Sequence, residues 1–294
     1  MAQILTKNNT ATYTAESAIS TFPIQQKELK PEKKIIYKEI HDEDELLEMF
    51  ALRSLVYQYV NFFKDTDENS LDETHLDIDC YDLYSTFIGA FEIIKNSKRL
   101  IGTMRIISGD QKSPSAPFVE SVYETLPDDE SKQTLERPAL FPHLETFNVP
   151  FYYYSSFFKT DEKLDPDNPF DEKPYEISRL AVLPEYWKSK FRVVHGLHEM
   201  LVLSSWKAQP KRSIFIIATH PNTKQKYERI GFHVIPGTEE KLYKGINQPA
   251  ILMRVNMEEY LKIPNPYIKI CSSAYPHFLE KGYYTREEIH KTVK

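Results

Sequence analysis

Four short segments concentrate the residues able to do chemistry. Leu52-Arg53-Ser54-Leu55-Val56-Tyr57 ends a helical pattern, and Asp77-Ile78-Asp79-Cys80-Tyr81-Asp82 precedes a strand pattern. Ile101-Gly102-Thr103-Met104-Arg105-Ile106-Ile107 and Glu176-Ile177-Ser178-Arg179-Leu180-Ala181-Val182 are themselves strand patterns. Three of the ten arginines fall in these segments. An arginine on a strand must face a carboxylate or a polar cleft, because burying an unpaired guanidinium is very costly. The cluster Asp77, Asp79 and Asp82 supplies the partners, so we expect Asp79 and Asp82 to orient Arg53, Arg105 and Arg179 around one cleft. The same network could simply staple the loop to the sheet, and both roles can hold at once. Glu176, a carboxylate on a strand in a partly dry cleft, has the character of a general base; an ordinary edge-strand ion pair is the plainer reading. Ser178 alternates onto the face of Glu176, but no histidine stands at a recognisable partnered spacing, which argues against a serine nucleophile.

The elements that must position these residues follow from pattern and turn chemistry. Residues 1–32 show no sustained period and read as a flexible leader. Ile35-Ile36-Tyr37 is a short strand. Asp42 can cap a helix, with Glu45 completing a capping box and Leu47, Ala51 and Leu55 forming its core-facing stripe. Residues 60–80 are polar and acidic, a loop by composition. Strands are expected over Thr86–Ile94 and Leu100–Ile107, joined by Lys95-Asn96-Ser97-Lys98. Residues 108–172 hold eight prolines and an aromatic run, and look like an insertion with short helices. A strand at Tyr175–Leu183 feeds a helix carrying Val193, Leu197, Met200 and Leu201 on one face. Strand Ser213–Ala218, helix Thr223–Arg229, strand Phe232–Ile235 and strand Ala250–Val255 follow, before a Tyr-rich helical tail. The expected fold class is α/β (α+β), a mixed and mostly antiparallel central sheet flanked by helices. The expected organisation is a leader (1–32), a domain over 33–256 with an insertion at about 108–172, and a C-terminal helical extension over 257–294.

The order of elements is similar to that of the Gcn5-related N-acetyltransferase fold. The four segments together resemble the acyl-homoserine-lactone synthases and their relatives, the N-acyl amino acid synthases. Those families carry, in this order, Arg-x-x-Val-Phe/Tyr, Glu-x-Asp-x-Phe/Tyr-Asp, a Gly-x-x-Arg strand and a Glu-x-Ser/Thr-Arg strand. The resemblance covers roughly residues 35–255 and leaves the leader, insertion and tail unexplained. It implies an acyltransferase moving a fatty acyl group from acyl carrier protein, or from acyl-CoA, to a small amine such as an amino acid. The donor would then be an acyl-phosphopantetheine thioester, with no permanently bound cofactor. Within that implication, Glu176 deprotonates the amine, Ser178 hydrogen-bonds the acyl carbonyl, and backbone amides near Ala181 and Val182 hold the pantetheine arm. Lys226-Tyr227-Glu228-Arg229-Ile230-Gly231-Phe232 resembles the Tyr-x-x-x-Gly-Phe ending of the acetyltransferase fold, which makes Tyr227 a candidate acid for the departing thiolate. Packing against the sheet is its plainer role. Gly231 is explicable as a positive-φ residue beyond a helix end.

Ordinary acetyltransferases place a glycine-rich turn after the fourth strand, where amides at a helix start cradle the coenzyme A pyrophosphate. Here that stretch is Pro184-Glu185-Tyr186-Trp187-Lys188-Ser189-Lys190-Phe191-Arg192, without the glycines. The cations Lys188, Lys190 and Arg192 stand there instead, suited to the acidic surface of acyl carrier protein, or simply a solvated helix end. An S-adenosylmethionine-using homoserine-lactone synthase is the alternative, disfavoured by Asp77 where those enzymes usually have Glu and by the extra length. A non-catalytic lipid-binding or interaction protein on the same scaffold is another, and a plain acetyl-CoA acetyltransferase a further one. Phe147, Phe151, Tyr152, Tyr153, Tyr154, Phe157 and Phe158 could roof an acyl tunnel or form a lid that packs for stability alone.

Composition bounds these readings. The chain has 294 residues, 41% hydrophobic and 13% aromatic, too rich for a disordered chain. A net charge of −6 argues against a general nucleic-acid binder. Two distant cysteines suit a reducing cytoplasm, and no apolar run is long enough to cross a bilayer, although peripheral membrane contact is one route for product release. His195 and His198 lie at i, i+3 but lack the partners that complete a metal site. Glycine is scarce, eight in all, so a glycine-rich phosphate cradle would be short of parts.

Overall fold

Alternating apolar positions and tight turns build one mixed sheet. The computed structural model describes residues 33–60, 76–126, 135–154, 170–188, 192–244, 248–262, 266–287 and 289. The expected leader, most of the polar loop after Tyr59, Lys190, Phe157 and Phe158 lie outside the described residues. The strands are β1 (Lys33–Ile40), β2 (Ser85–Ile94), β3 (Ser97–Ser108), β4 (Phe170–Val182), β5 (Lys211–Thr219), β6 (His233–Val234), β7 (Lys241–Tyr243), β8 (Gln248–Asn256) and β9 (Tyr283–Tyr284). The helices are α1 (Glu43–Tyr59), α2 (Ala116–Thr125), α3 (Val193–Lys207), α4 (Lys224–Glu228), α5 (Met257–Leu261) and α6 (Pro266–Lys281). The sheet runs β6-β8-β5-β4-β3-β2-β1-β9, with β7 also on β8. Every neighbouring pair is antiparallel except β4 and β5, which are parallel. The expected mixed, mostly antiparallel sheet with flanking helices is therefore present.

One departure from regularity matters for the site. β4 pairs with β5 from Phe170↔Lys211 as far as Ile177↔Ile217. Beyond that point β4 stays with β3 to Val182↔Gly102, while β5 stays with β8 to Thr219↔Ile251. The two parallel strands thus part in the middle of the sheet. Strand alternation sorts the core accordingly. Ile177, Phe215, Ile217 and Met253 join the larger cluster under α1 and α3. On the opposite face Ile107, Ile216 and Leu252 join a smaller one with Phe141, Phe147 and Tyr154 from the insertion.

Several expectations are corrected. The buried stripe of α1 is Leu46, Met49, Phe50, Arg53 and Val56, and the expected Leu47, Ala51 and Leu55 are only partly buried. A charged Arg53 in the middle of the inward face hid that stripe from a hydrophobicity pattern. Asp42 does cap α1, accepting from the amides of Asp44 and Glu45, but Glu45 does not complete a capping box. Its carboxylate pairs with Lys38 at 2.7 Å and Lys98 at 2.5 Å. The β2–β3 connection is two residues, not four, because Lys95 takes a left-handed φ of +53° that lets Ile94 pair with Ser97. The tail is not only helical: β9 adds to the outer edge of β1, with Tyr37 opposite Tyr284. A close approach accounts for Gly196 in α3, since a Cβ there would lie 2.1 Å from Cζ of Tyr37. No helix among the described residues is long and apolar enough to cross a membrane.

Candidate active site

Three guanidinium groups and three carboxylates meet where α1, the segment before β2, β3 and β4 converge. Arg53 donates from Nε to Asp77 at 2.7 Å and from Nη1 and Nη2 to Asp82 at 2.8 and 3.1 Å. Arg105 donates from Nη1 and Nη2 to Asp79 at 2.6 and 2.9 Å, and from Nη1 to Asp82 at 2.7 Å. Its Nε donates to Ser178 Oγ at 2.7 Å. Arg179 donates to Asp79 Oδ2 at 2.9 Å and lies 3.4 Å from Asp77. A capping box sets the acidic segment: Asp79 accepts from the Tyr81 amide and Asp82 from the Asp79 amide, both at 2.9 Å. Burial opposes ionisation of Asp79, but Arg105 and Arg179 outweigh it and hold its carboxyl far below the usual range. Asp77 is likewise lowered, burial being overcome by Arg179 and Arg53. Equal numbers of opposite charges make this burial tolerable.

Arg53 and Arg105 have side chains only 1% and 2% exposed, whereas Arg179 retains 18%. A bulge explains why Arg179 joins the network at all. Thr103 pairs with Ala181 and Arg105 with Ser178, so Arg179 and Leu180 together oppose Met104. Arg179 takes up the extra residue with φ +52°, the left-handed conformation that a bulge of this kind normally reserves for glycine. Neighbouring strand residues ordinarily point to opposite faces. Here the bulge lets Ser178 and Arg179 both reach the same network. The Arg179 Nε is buried without a partner, and its guanidinium sits 5.4 Å from the ring centre of Tyr57.

Glu176 lies opposite Ile216, on the face of the smaller cluster and just before the strands part. It is 1% exposed and its surroundings were not foreseen. The imidazole Nδ1 of His143 stands 2.6 Å from Glu176 Oε2, and the His143 amide donates to the same oxygen at 3.3 Å. His143 Nε2 is in turn hydrogen-bonded to the Tyr154 hydroxyl. The Tyr243 hydroxyl donates to the other oxygen, Oε1, at 3.5 Å. Tyr243 is held well above the ordinary phenol range, first by burial and then by Glu176. The charges of Arg179, Arg105 and Asp79 also act on it. His143 comes from the insertion and Tyr243 from a three-residue strand, and neither carries a local signal in the sequence. The candidate site thus has a histidine, but on Glu176; Ser178 Oγ accepts from Arg105 instead.

Other expected site residues fall at distinct places. Tyr227, on α4, packs in the larger cluster, with its ring edge-on to His198 and Phe232. Burial pushes its hydroxyl up to about 12. Gly231 has φ +89°, the positive value expected beyond a helix end. Ala181 and Val182 pair with β3 on the stretch of β4 that has left β5, and the Val182 carbonyl accepts from the Trp187 indole at 2.7 Å. Lys188 and Arg192 are exposed, Arg192 in a left-handed φ of +49° just before α3. In the insertion, Phe147 and Tyr154 are buried beside Phe141, while Tyr152 is 64% exposed.

No family model matches the chain, and no curated protein does. Solved structures similar to it include FeeM, an N-acyl amino acid synthase from uncultured soil microbes, at 15% identity and a TM-score of 0.44, covering 79% of this chain and 95% of that one. The AHL synthase LasI is 14% identical with a TM-score of 0.41, covering 82% and 94%. The CoA-dependent acyl-homoserine lactone synthase BjaI, whose structure holds SAM and isopentyl-CoA, is 13% identical with a TM-score of 0.45, covering 82% and 90%. Likeness at this level assigns no activity.

Proposed function

We propose that the protein is an N-acyltransferase that moves a fatty acyl group from a phosphopantetheine thioester to the amino group of a small acceptor, an amino acid. The observation that carries this reading is the buried Glu176 carboxylate. One of its oxygens is held by His143 and the other faces the Tyr243 hydroxyl, at the point where β4 and β5 part. An amine must lose a proton before it can attack a thioester carbonyl, and Glu176 Oε1 is the acceptor for that proton. The new C–N bond forms as the C–S bond breaks. The departing thiolate takes one of the two protons that the ammonium loses, and the other leaves to solvent. Arg179, the most exposed of the three arginines and with a free Nε–H, would bind the acceptor's carboxylate or the acyl carbonyl. Arg53, Arg105, Asp79 and Asp82 hold the floor of that cleft.

The pantetheine arm would lie along β4 at Ala181 and Val182, where pairing with β5 has ended. Tyr227 would protonate the leaving thiolate, and Ser178, already bonded to Arg105, would fix that guanidinium rather than attack substrate. Acyl carrier protein is the favoured donor. Bulky Trp187 and exposed Lys188 and Arg192 occupy the approach to α3, and a carrier protein needs surface cations there but no nucleotide cradle. Such a donor places the reaction in the cytoplasm.

The test is mass spectrometry of lipids extracted from bacteria expressing the protein or its Glu176→Gln variant. A new N-acyl amino acid that disappears with the variant supports the proposal. A homoserine lactone would replace it with the alternative acceptor chemistry, and identical lipid profiles would remove it. With purified protein, Glu176→Gln is expected to lower acyl transfer by about 10²- to 10⁴-fold.

A further inference from the structure

We propose that His143 is a positioning residue for Glu176, fixing which carboxylate oxygen is free to act as base, and that Tyr154 sets the imidazole tautomer that makes this possible. This inference rests on the acyl-transfer reading for its consequence in catalysis, but its structural content can be read in the resting protein.

His143 has two ring nitrogens and each has one partner: Glu176 Oε2 at Nδ1 and the Tyr154 hydroxyl at Nε2. A carboxylate has no proton to give, so Nδ1 must carry the hydrogen and donate. In the proposed Nδ1–H tautomer Nε2 accepts, and the Tyr154 hydroxyl is the donor. Burial, followed by the charge of Glu176, pushes Tyr154 well above the ordinary phenol range, so its proton stays in place to be donated. The ring is clamped sterically as well. Phe141 stacks on it at 5.5 Å and 15°, and His143 is 0% exposed.

The backbone around it is equally determined. Pro142 opens a single 3₁₀ turn over Pro142–Glu145, and the His143 carbonyl accepts from the amides of Thr146 and Phe147 at 3.1 and 2.8 Å. That turn aims the His143 amide at Oε2 alongside Nδ1. Among the described residues, two donors on Oε2 leave Oε1 with only the distant Tyr243 hydroxyl, at 3.5 Å. The geometry therefore divides the carboxylate into an anchored oxygen and a working one. An unanchored glutamate would spend much of its time in rotamers pointing the wrong way. The insertion, which covers the smaller core cluster, thereby acquires a direct part in the chemistry.

The groups around Glu176 come from several elements. Glu176 is faced by His143 and Tyr154 of the insertion and by Tyr243 of β7. Arg105, Arg179 and Asp79 act on the Tyr243 hydroxyl. Tyr81, whose hydroxyl donates to Glu145 at 2.6 Å, also lies within the field of Glu176. Lys244 closes that side, 2.9 Å from Glu145.

Two measurements test the proposal. Nitrogen NMR of protein labelled in its histidines, with the His143 signal assigned by its loss in His143→Asn, should show the Nδ1–H tautomer at neutral pH. The signal should move in Glu176→Gln, whose side chain can donate in place of accepting. An Nε2–H tautomer, or a charged ring at neutral pH, would overturn the inference whatever the activity. In steady-state acyl transfer, His143→Leu should lower kcat by about 10- to 100-fold, the range typical of losing an outer partner that orients a reacting group. KM for the acceptor should change by less than about threefold, since the orienting contact and not the binding contact is lost. His143→Asn, whose amide can still donate to Oε2, should recover most of the loss. Equal losses in His143→Leu and His143→Asn at unchanged stability would leave His143 a packing residue and overturn the proposal. A correct tautomer in a protein without acyl transfer would instead remove the proposed function.

Discussion

Arg179 reaches Asp79 from a backbone conformation that arginine rarely adopts: its Nη2 donates to Oδ2 at 2.9 Å while its φ is +52°. The cost of a left-handed non-glycine residue is on the order of 1–2 kcal/mol, and the surrounding ion pairs hold it there. Arg179→Gly and Arg179→Ala remove the same ion pairs, but only glycine relieves the backbone. Urea denaturation is expected to find the glycine variant more stable than the alanine variant by about 1 kcal/mol. Equal stabilities would mean the bulge carries no strain.

The buried members of the network should be far more sensitive. Arg105→Met leaves Asp79 and Asp82 short of a partner in a dry site, and is expected to cost about 3–5 kcal/mol. Chemical denaturation measures it. A loss below about 1 kcal/mol would show that the network is solvated in solution.

Acid should weaken the fold through the same carboxylates. Asp77 and Asp79 have folded-state values below the ordinary one, so their contribution is complete above the unfolded value, about 3.9. It is lost as pH falls through and below that value. Urea midpoints should therefore begin to drop below about pH 5 and fall most steeply below about pH 4. Asp77→Asn should be less stable at pH 7 and should show a shallower fall. A parallel fall in variant and parent would assign the acid sensitivity to other groups.

The contact between α3 and β1 predicts a non-additive pair. Gly196→Ala places a methyl 2.1 Å from the buried Tyr37 ring, and overpacking of this kind costs about 1–3 kcal/mol. Tyr37→Ala opens the space that the methyl needs. The double variant should therefore be less destabilised than the two single effects added together, which thermal unfolding of all three will decide.

Both cysteines should resist alkylation in the native protein. Burial pushes Cys80 up to about 12 and Cys271 well above its ordinary value, and the thiolate is the reactive form. Thiol titration at pH 8 should find little reaction before denaturant is added and two thiols after it. Rapid native labelling would show that the Cys80 segment opens.

The Arg–Asp network was legible in the sequence because a charged residue on a buried element obliges a partner, and Asp77, Asp79 and Asp82 were at hand. The same buried charge blurred α1: Arg53 broke the hydrophobic stripe, and the half-buried flank of the helix was read as its inner face. The long strands followed from their alternation. Their pairing ends and the bulge at Arg179 did not, since both depend on which neighbour a strand leaves, and that choice is made across the sheet. His143 and Tyr243 meet Glu176 from 33 and 67 residues away, and no local period records such a meeting. Tyr154 arrives with the insertion, whose aromatic residues looked alike until one of them was found bonded to an imidazole.

The pairing of β1 with β9 has a consequence in time. Tyr37 and Tyr284 lie opposite one another across the sheet, yet they are separated by roughly 250 residues of chain, which a ribosome needs roughly 12 to 50 s to traverse. For that interval the outer edge of β1 has no strand beside it, and an open edge is a template for pairing with another chain. The growing polypeptide must wait with that edge bare, so the pace of translation and the shelter offered by chaperones bear on its yield as directly as any contact in the finished sheet.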